Sequence, residues 1–199
     1  MNTAGDLCDV LTEALVKFAG SLHGAQTPVR DLWDRQGSTS VFRPIDENGF
    51  SDVVVRFLQS ELAHAGIFAN REVEVSRVPG APVGRRTDIL INAVRRRPGG
   101  EAFDSITAVL EAKGCWNDEL FTALEAQLVR EYMVRLRAQA GVFLVGWFET
   151  DKWDPADGRR RTVPKMSVDD VRAKLEDQAA GLPKGIIVRP IVVECRTPA

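Results

Sequence analysis

Three charged residues stand at the ends of apolar strand-like runs: Asp88, which leads into Ile89, Leu90 and Ile91, and Glu111 with Lys113, which follow Thr107, Ala108, Val109 and Leu110. Side chains alternate faces along an extended strand, so Glu111 and Lys113 project from one face while Ala112 points away. A carboxylate and an ammonium are thereby set side by side. If the two strands pair as a hairpin through Arg97, Pro98, Gly99 and Gly100, whose Pro and Gly suit turn dihedrals, Asp88 comes near Glu111 at one end of the sheet.

Neighbouring carboxylates repel, and a shared proton or a bound divalent cation relieves the repulsion. Oxygen ligands favour Mg2+ or Mn2+, and magnesium takes only one or two protein carboxylates, completing its shell with water and phosphate oxygens. An adjacent lysine can hold or help deprotonate the attacking water and offset charge developing on the phosphate. The chemistry indicated is metal-dependent hydrolysis of a phosphodiester. The competing reading makes Asp88 a strand-initiating acid and Glu111–Lys113 a solvated pair worth well under about 1 kcal/mol. The apolar flanks argue against so wet an edge.

These residues resemble the PD-(D/E)XK nuclease superfamily, which has the restriction-endonuclease-like fold. Asp88 is similar to its first acid and Glu111-Ala112-Lys113 to its (D/E)-x-K element. The resemblance implies metal ligation by Asp88, Glu111 and the main-chain carbonyl of Ala112, with Lys113 as the catalytic lysine. It covers residues 46–148 and extends to a helix carrying another acid, for which Glu47, as a further metal ligand, is the choice and Glu61 the competitor. Acids favour helix entries anyway, so Glu47 has an ordinary structural alternative. Some relatives carry a glutamine and a tyrosine one turn apart on the helix after the lysine, and Gln127 and Tyr132 resemble that element. Their interval is one residue longer, and at about 100° per residue they leave one face, so Gln127 alone is retained, with a plain helix-face amide as its alternative.

Around these residues the elements follow from periodicity. Residues 6–19 repeat apolar positions at Leu7, Val10, Leu11, Ala14, Leu15 and Phe18 as an amphipathic helix stopped by Gly20. Thr27-Pro28 opens a shorter helix, and a polar link over 34–40 follows. Ser51 is placed as the cap of a helix with Val54, Leu58 and Leu62 on one face. Residues 72–76 alternate as a half-buried strand. A long helix is expected over 118–139, then a continuous apolar strand over 141–148 covered on both faces. Residues 149–165 read as an exposed polar loop beside the site. Ser167 caps a last helix with Val171 and Leu175 inward, ending near Gly181, and 186–195 forms a closing strand. The expected fold is α/β, a restriction-endonuclease-like sandwich with a central mixed sheet flanked by helices. Residues 1–40 read as an N-terminal helical accessory element, and 41–199 as the nuclease-like domain.

With 199 residues the chain fits one moderately large domain. A net charge of -2 gives no global attraction for polyanions. Nucleic-acid contact would need a local patch, for which the arginines at 85–86, 95–97 and 159–161 are candidates, although arginines at turns are usually just solvated. Cys8, Cys115 and Cys195 are scattered and odd in number, against a disulfide framework or cysteine zinc site and in keeping with the cytoplasm. Two histidines do not make a histidine-based site. Neither a membrane span, a signal pattern nor a nucleotide-binding phosphate loop is expected. Trp116 and Trp147 read as core or rim packing rather than base stacking. The leading function is a nuclease using Mg2+ or Mn2+ on DNA in preference to RNA, with bacterial defence or repair as the setting the resemblance suggests. Monomer and homodimer both fit. The alternatives are a catalytically silent module that binds nucleic acid or docks a protein through the N-terminal helices, and a metal-dependent enzyme acting on a small phosphorylated molecule.

Overall fold

A computed structural model describes residues 2–24, 28–35, 41–71, 74–76, 85–86, 88–96, 103–148 and 151–197. Helix α1 (Ala4–Ser21) starts at Thr3 in a capping box with Asp6 and runs straight through Gly20. A 3-10 turn, Pro28–Leu32, leads into β1 (Trp33–Arg35), which pairs antiparallel with β2 (Phe42–Pro44). Helix α2 (Glu47–Leu62) precedes β3 (Ile67–Arg71), and the short strands β4 (Glu74–Ser76) and β5 (Arg85–Arg86) pair with each other. Then come β6 (Ile89–Arg96), β7 (Phe103–Gly114), a π-helix Leu124–Met133 continuing as α3 (Val134–Leu136), β8 (Ala140–Phe148), α4 (Val168–Ala180) and β9 (Ile187–Cys195).

The main sheet has five strands in the order β3-β6-β7-β8-β9. Its first two pairings are antiparallel and its last two parallel, so it is mixed. β6 and β7 pair as expected, although the turn at 97–100 lies outside the described residues. On one face α1 and α2 bury Leu7, Leu11, Leu15, Phe50, Val54 and Leu58 against Ile89, Leu110, Val142 and Leu144. On the other the π-helix and α4 bury Leu124, Leu128, Val171 and Leu175 against Val109, Phe143 and Val145. β8 contributes to both clusters, which is why its sequence is a continuous apolar run. β9 lies at an edge, where Pro190 costs no ladder hydrogen bond on its outer side. Among the described residues no helix is long and apolar enough to cross a membrane.

Several elements differ from expectation for identifiable reasons. The cap of α2 is Asp46, not Ser51: its Oδ1 accepts the Gly49 N–H at 2.7 Å, which starts the helix a turn earlier and leaves Ser51 inside it, 1% exposed. The helix expected over 118–139 is shorter, because Asn117 ties 117–120 into a turn, its Oδ1 accepting the Glu119 N–H at 2.8 Å. The segment after β8 is not simply an exposed loop. Trp153 is fully buried against Trp33 and Trp116, and its indole N–H donates to Asp157 at 2.8 Å.

Helix α1 and the segment Val29–Trp33 contribute to the same core as the rest of the chain, since α1 lies over β7, β8 and β9. Leu11→Ala, at a fully buried position of α1, is expected to cost about 2–5 kcal/mol in urea unfolding. A detachable α1 would leave the transition unmoved.

Candidate active site

Strand register assembles the cluster. Ile89 lies opposite Leu110, so Asp88, one residue earlier, faces Glu111 across the antiparallel pair and shares its face of the sheet. Asp88 Oδ2 accepts the Ala112 N–H at 2.9 Å. Two residues along β7, Lys113 Nζ lies 2.8 Å from Glu111 Oε1. Both are buried, with 2% of Glu111 and 8% of Lys113 exposed, which excludes a solvated surface pair. The other carboxylate oxygen of Glu111, Oε2, is buried with no hydrogen-bond partner among the described residues.

Glu47 reaches the cluster from the opposite layer. Because α2 begins at Asp46, Glu47 sits in its first turn, where Oε1 accepts the Gly114 N–H at 3.0 Å and the Asn117 Nδ2–H at 2.8 Å. Glu61 lies at the far end of α2, paired with Lys17 at 2.7 Å, and is not part of the cluster. Arg71, at the end of β3, donates to the carbonyls of Asp88 at 3.1 Å and Asn48 at 3.3 Å, bracing both acid-bearing segments. Gln127 donates its amide to Glu119. No hydrogen bond from it to Asp88, Glu111 or Lys113 occurs among the described residues.

The π-helix alters the relation of Gln127 to Tyr132. In an i→i+5 helix, residues five apart fall one turn apart on one side, so the extra residue between them is absorbed by the winding. The separation expected from α-helical geometry is thereby corrected.

Electrostatics at the site follow from burial. Desolvation, reinforced by the facing Asp88 carboxylate, pushes the Glu111 carboxyl up to about 8, and desolvation also raises Asp88 despite its hydrogen bond from Ala112. Burial opposes the Lys113 ammonium, but Glu111, Glu47 and Asp88 outweigh it and raise its pKa. Among the described residues no three His, Cys, Asp or Glu side chains converge as a ready-made chelate. The donors present are two facing carboxylates, one with an unpartnered oxygen. Such a sparse oxygen set fits Mg2+ or Mn2+ completed by water and substrate, and does not suit zinc.

Sequence reasoning missed the three braces of this site. Asn117 and Arg71 act through main-chain and carboxylate contacts that no motif marks. Arg159 donates to Pro44 O at 2.7 Å and Ile45 O at 3.3 Å, just before Glu47, and its guanidinium lies 4.8 Å from the Trp116 ring centre. A run of arginines was its only signal. No family model, curated protein or solved structure matches this chain.

The raised Glu111 pKa sets the sign of the pH dependence. The folded chain holds that proton more tightly than the unfolded one, so the stability it contributes is present below 4.5 and lost as pH rises through about 8. Glu111→Gln keeps the shape without the charge. Thermal unfolding of this variant, followed by circular dichroism, is expected to show an equal or higher Tm at the alkaline end of that window and a weaker pH dependence.

Proposed function

We propose that this chain is a divalent-metal-dependent nuclease of the PD-(D/E)XK kind, with a restriction-endonuclease-like arrangement of its α/β sandwich, hydrolysing phosphodiester bonds in DNA. The observation that carries the reading is the buried Glu111–Lys113 pair facing Asp88, with Glu111 Oε2 unpartnered among the described residues. Burying charge in this way costs stability unless something uses it.

Asp88, Glu111 and the Ala112 carbonyl are the residues that would hold Mg2+ or Mn2+, with Glu47 bracing the end of β7 and adding negative field. When bound, the ion supplies charge stabilisation at the phosphate and lowers the pKa of an attacking water. Lys113, fixed by Glu111 Oε1 at 2.8 Å, presents a charged Nζ that can orient that water and offset charge growing on the phosphate oxygens. Glu111 would share its charge between such an ion and Lys113, whose ammonium form the surrounding acids favour despite burial. Gln127, on the helix that covers this face of the sheet and donating to Glu119, is the candidate positioning group.

A second reading, the catalytically silent module, is favoured by the acids' main-chain contacts: Asp88 Oδ2 and Glu47 Oε1 both accept amide N–H groups and so have structural work of their own. The two readings separate in one assay. Cleavage of single-stranded, duplex, circular and RNA substrates with Mg2+ or Mn2+ is expected to fall about a hundredfold or more in Lys113→Ala, matched for folding by circular dichroism. Cleavage should also stop in chelator. Chelator-insensitive binding with no cleavage of any substrate would instead establish the silent module.

A further inference from the structure

The parallel register carries the active face of the sheet onward from Lys113. Lys113 lies opposite Val145 on β8, and Trp147, two residues further, lies opposite Glu194 on β9. Residues at these offsets share one face, and strand spacing puts the Trp147 and Lys113 Cα atoms about 8 Å apart. Trp147 is the one half-buried tryptophan. Trp33, Trp116 and Trp153 are 6%, 9% and 0% exposed.

Trp147 opens onto a cavity of about 380 Å3 lined also by Met166, Ser167, Val168, Glu194 and Arg196. Met166 is 36% exposed, so its soft thioether is accessible at the cavity wall. Glu194 is fixed by Arg172 at 2.8 Å, and Arg196 lies 3.4 Å from it. An indole and a thioether supply apolar surfaces suited to a planar ring. A carboxylate and a guanidinium at the rim supply an acceptor and donors for that ring's polar edge.

We propose that this cavity is a nucleobase subsite, taking one unpaired base of a single-stranded nucleic acid whose phosphate lies at the acid and lysine cluster. The proposal deepens the nuclease reading and rests on it for the position of the phosphate. The cavity accommodates a nucleotide and not a run of stacked bases. A base inside a duplex has both faces covered and its edge paired, so only an unpaired or extruded base can present a ring to Trp147. The occupant is therefore single-stranded at this position.

The test uses Trp147 as its own reporter and needs no cleavage. A short single-stranded oligodeoxynucleotide and its duplex with the complementary strand are titrated into the full chain in chelator while tryptophan emission is followed. Saturable quenching by the single strand, little by the duplex, and loss of the signal in Trp147→Leu are expected. Met166→Ala, a half-exposed change that leaves the core intact, is expected to weaken the single-strand affinity several-fold, the scale of one lost sulfur–aromatic contact. Equal quenching by duplex, undiminished quenching in a folded Trp147→Leu, an unchanged affinity in Met166→Ala, or no quenching at all would overturn the subsite. Quenching without metal-dependent cleavage would retain the subsite and remove the nuclease reading. Cleavage without quenching would do the reverse.

Discussion

Taking the Glu111 carboxylate out of water is the cost around which this molecule is built. A carboxylate at 2% exposure, facing a second acid, is disfavoured unless compensated, and Lys113 compensates only one of its oxygens. The remaining oxygen has no partner among the described residues. Asp88 and Glu47 lie close enough to raise the local negative potential further. A fold optimised for stability alone would place a leucine or glutamine at 111, and this cost is what supports the proposal of a cation site here.

The rest of the fold keeps that strain from relaxing. β7 lies in the middle of the sheet, flanked by β6 and β8, so its end cannot swing outward. Gly114 allows the chain to turn tightly against Trp116: a Cβ there would stand 2.4 Å from the indole, far inside contact distance. The Gly114 and Ala112 amides anchor Glu47 and Asp88, while Arg159 links Trp116 to the two carbonyls before α2. Asp157 holds the Arg159 guanidinium at 2.8 Å and the Trp153 indole as well. The segment after β8 thus acts as a brace across the site.

What could be read from sequence was whatever is written in local periodicity. The alternation around Glu111 and Lys113 put them on one face, the apolar run over 141–148 became an interior strand, and the Ser167 cap marked the start of α4. Residues whose role depends on distant partners were not legible. Asp46 and Ser51 are both good caps, and only packing of α2 decides between them. The π-helix over Leu124–Met133 carries no mark in the local apolar periodicity, which reads as an ordinary α-helix. Polar neighbours around Trp153 hid a fully buried ring, since its cover comes from Trp33 and Trp116, far away in the chain.

The claim that Glu111 is kept buried for a divalent cation is tested most directly by Mn2+ binding, followed by the loss of the free-ion paramagnetic resonance signal. The natural chain should bind Mn2+ saturably, with Mg2+ competing for the same site, and Glu111→Gln of equal fold content should lose that binding. Binding that survives Glu111→Gln unchanged, or no binding by the natural chain, would contradict the assignment of this carboxylate to a metal.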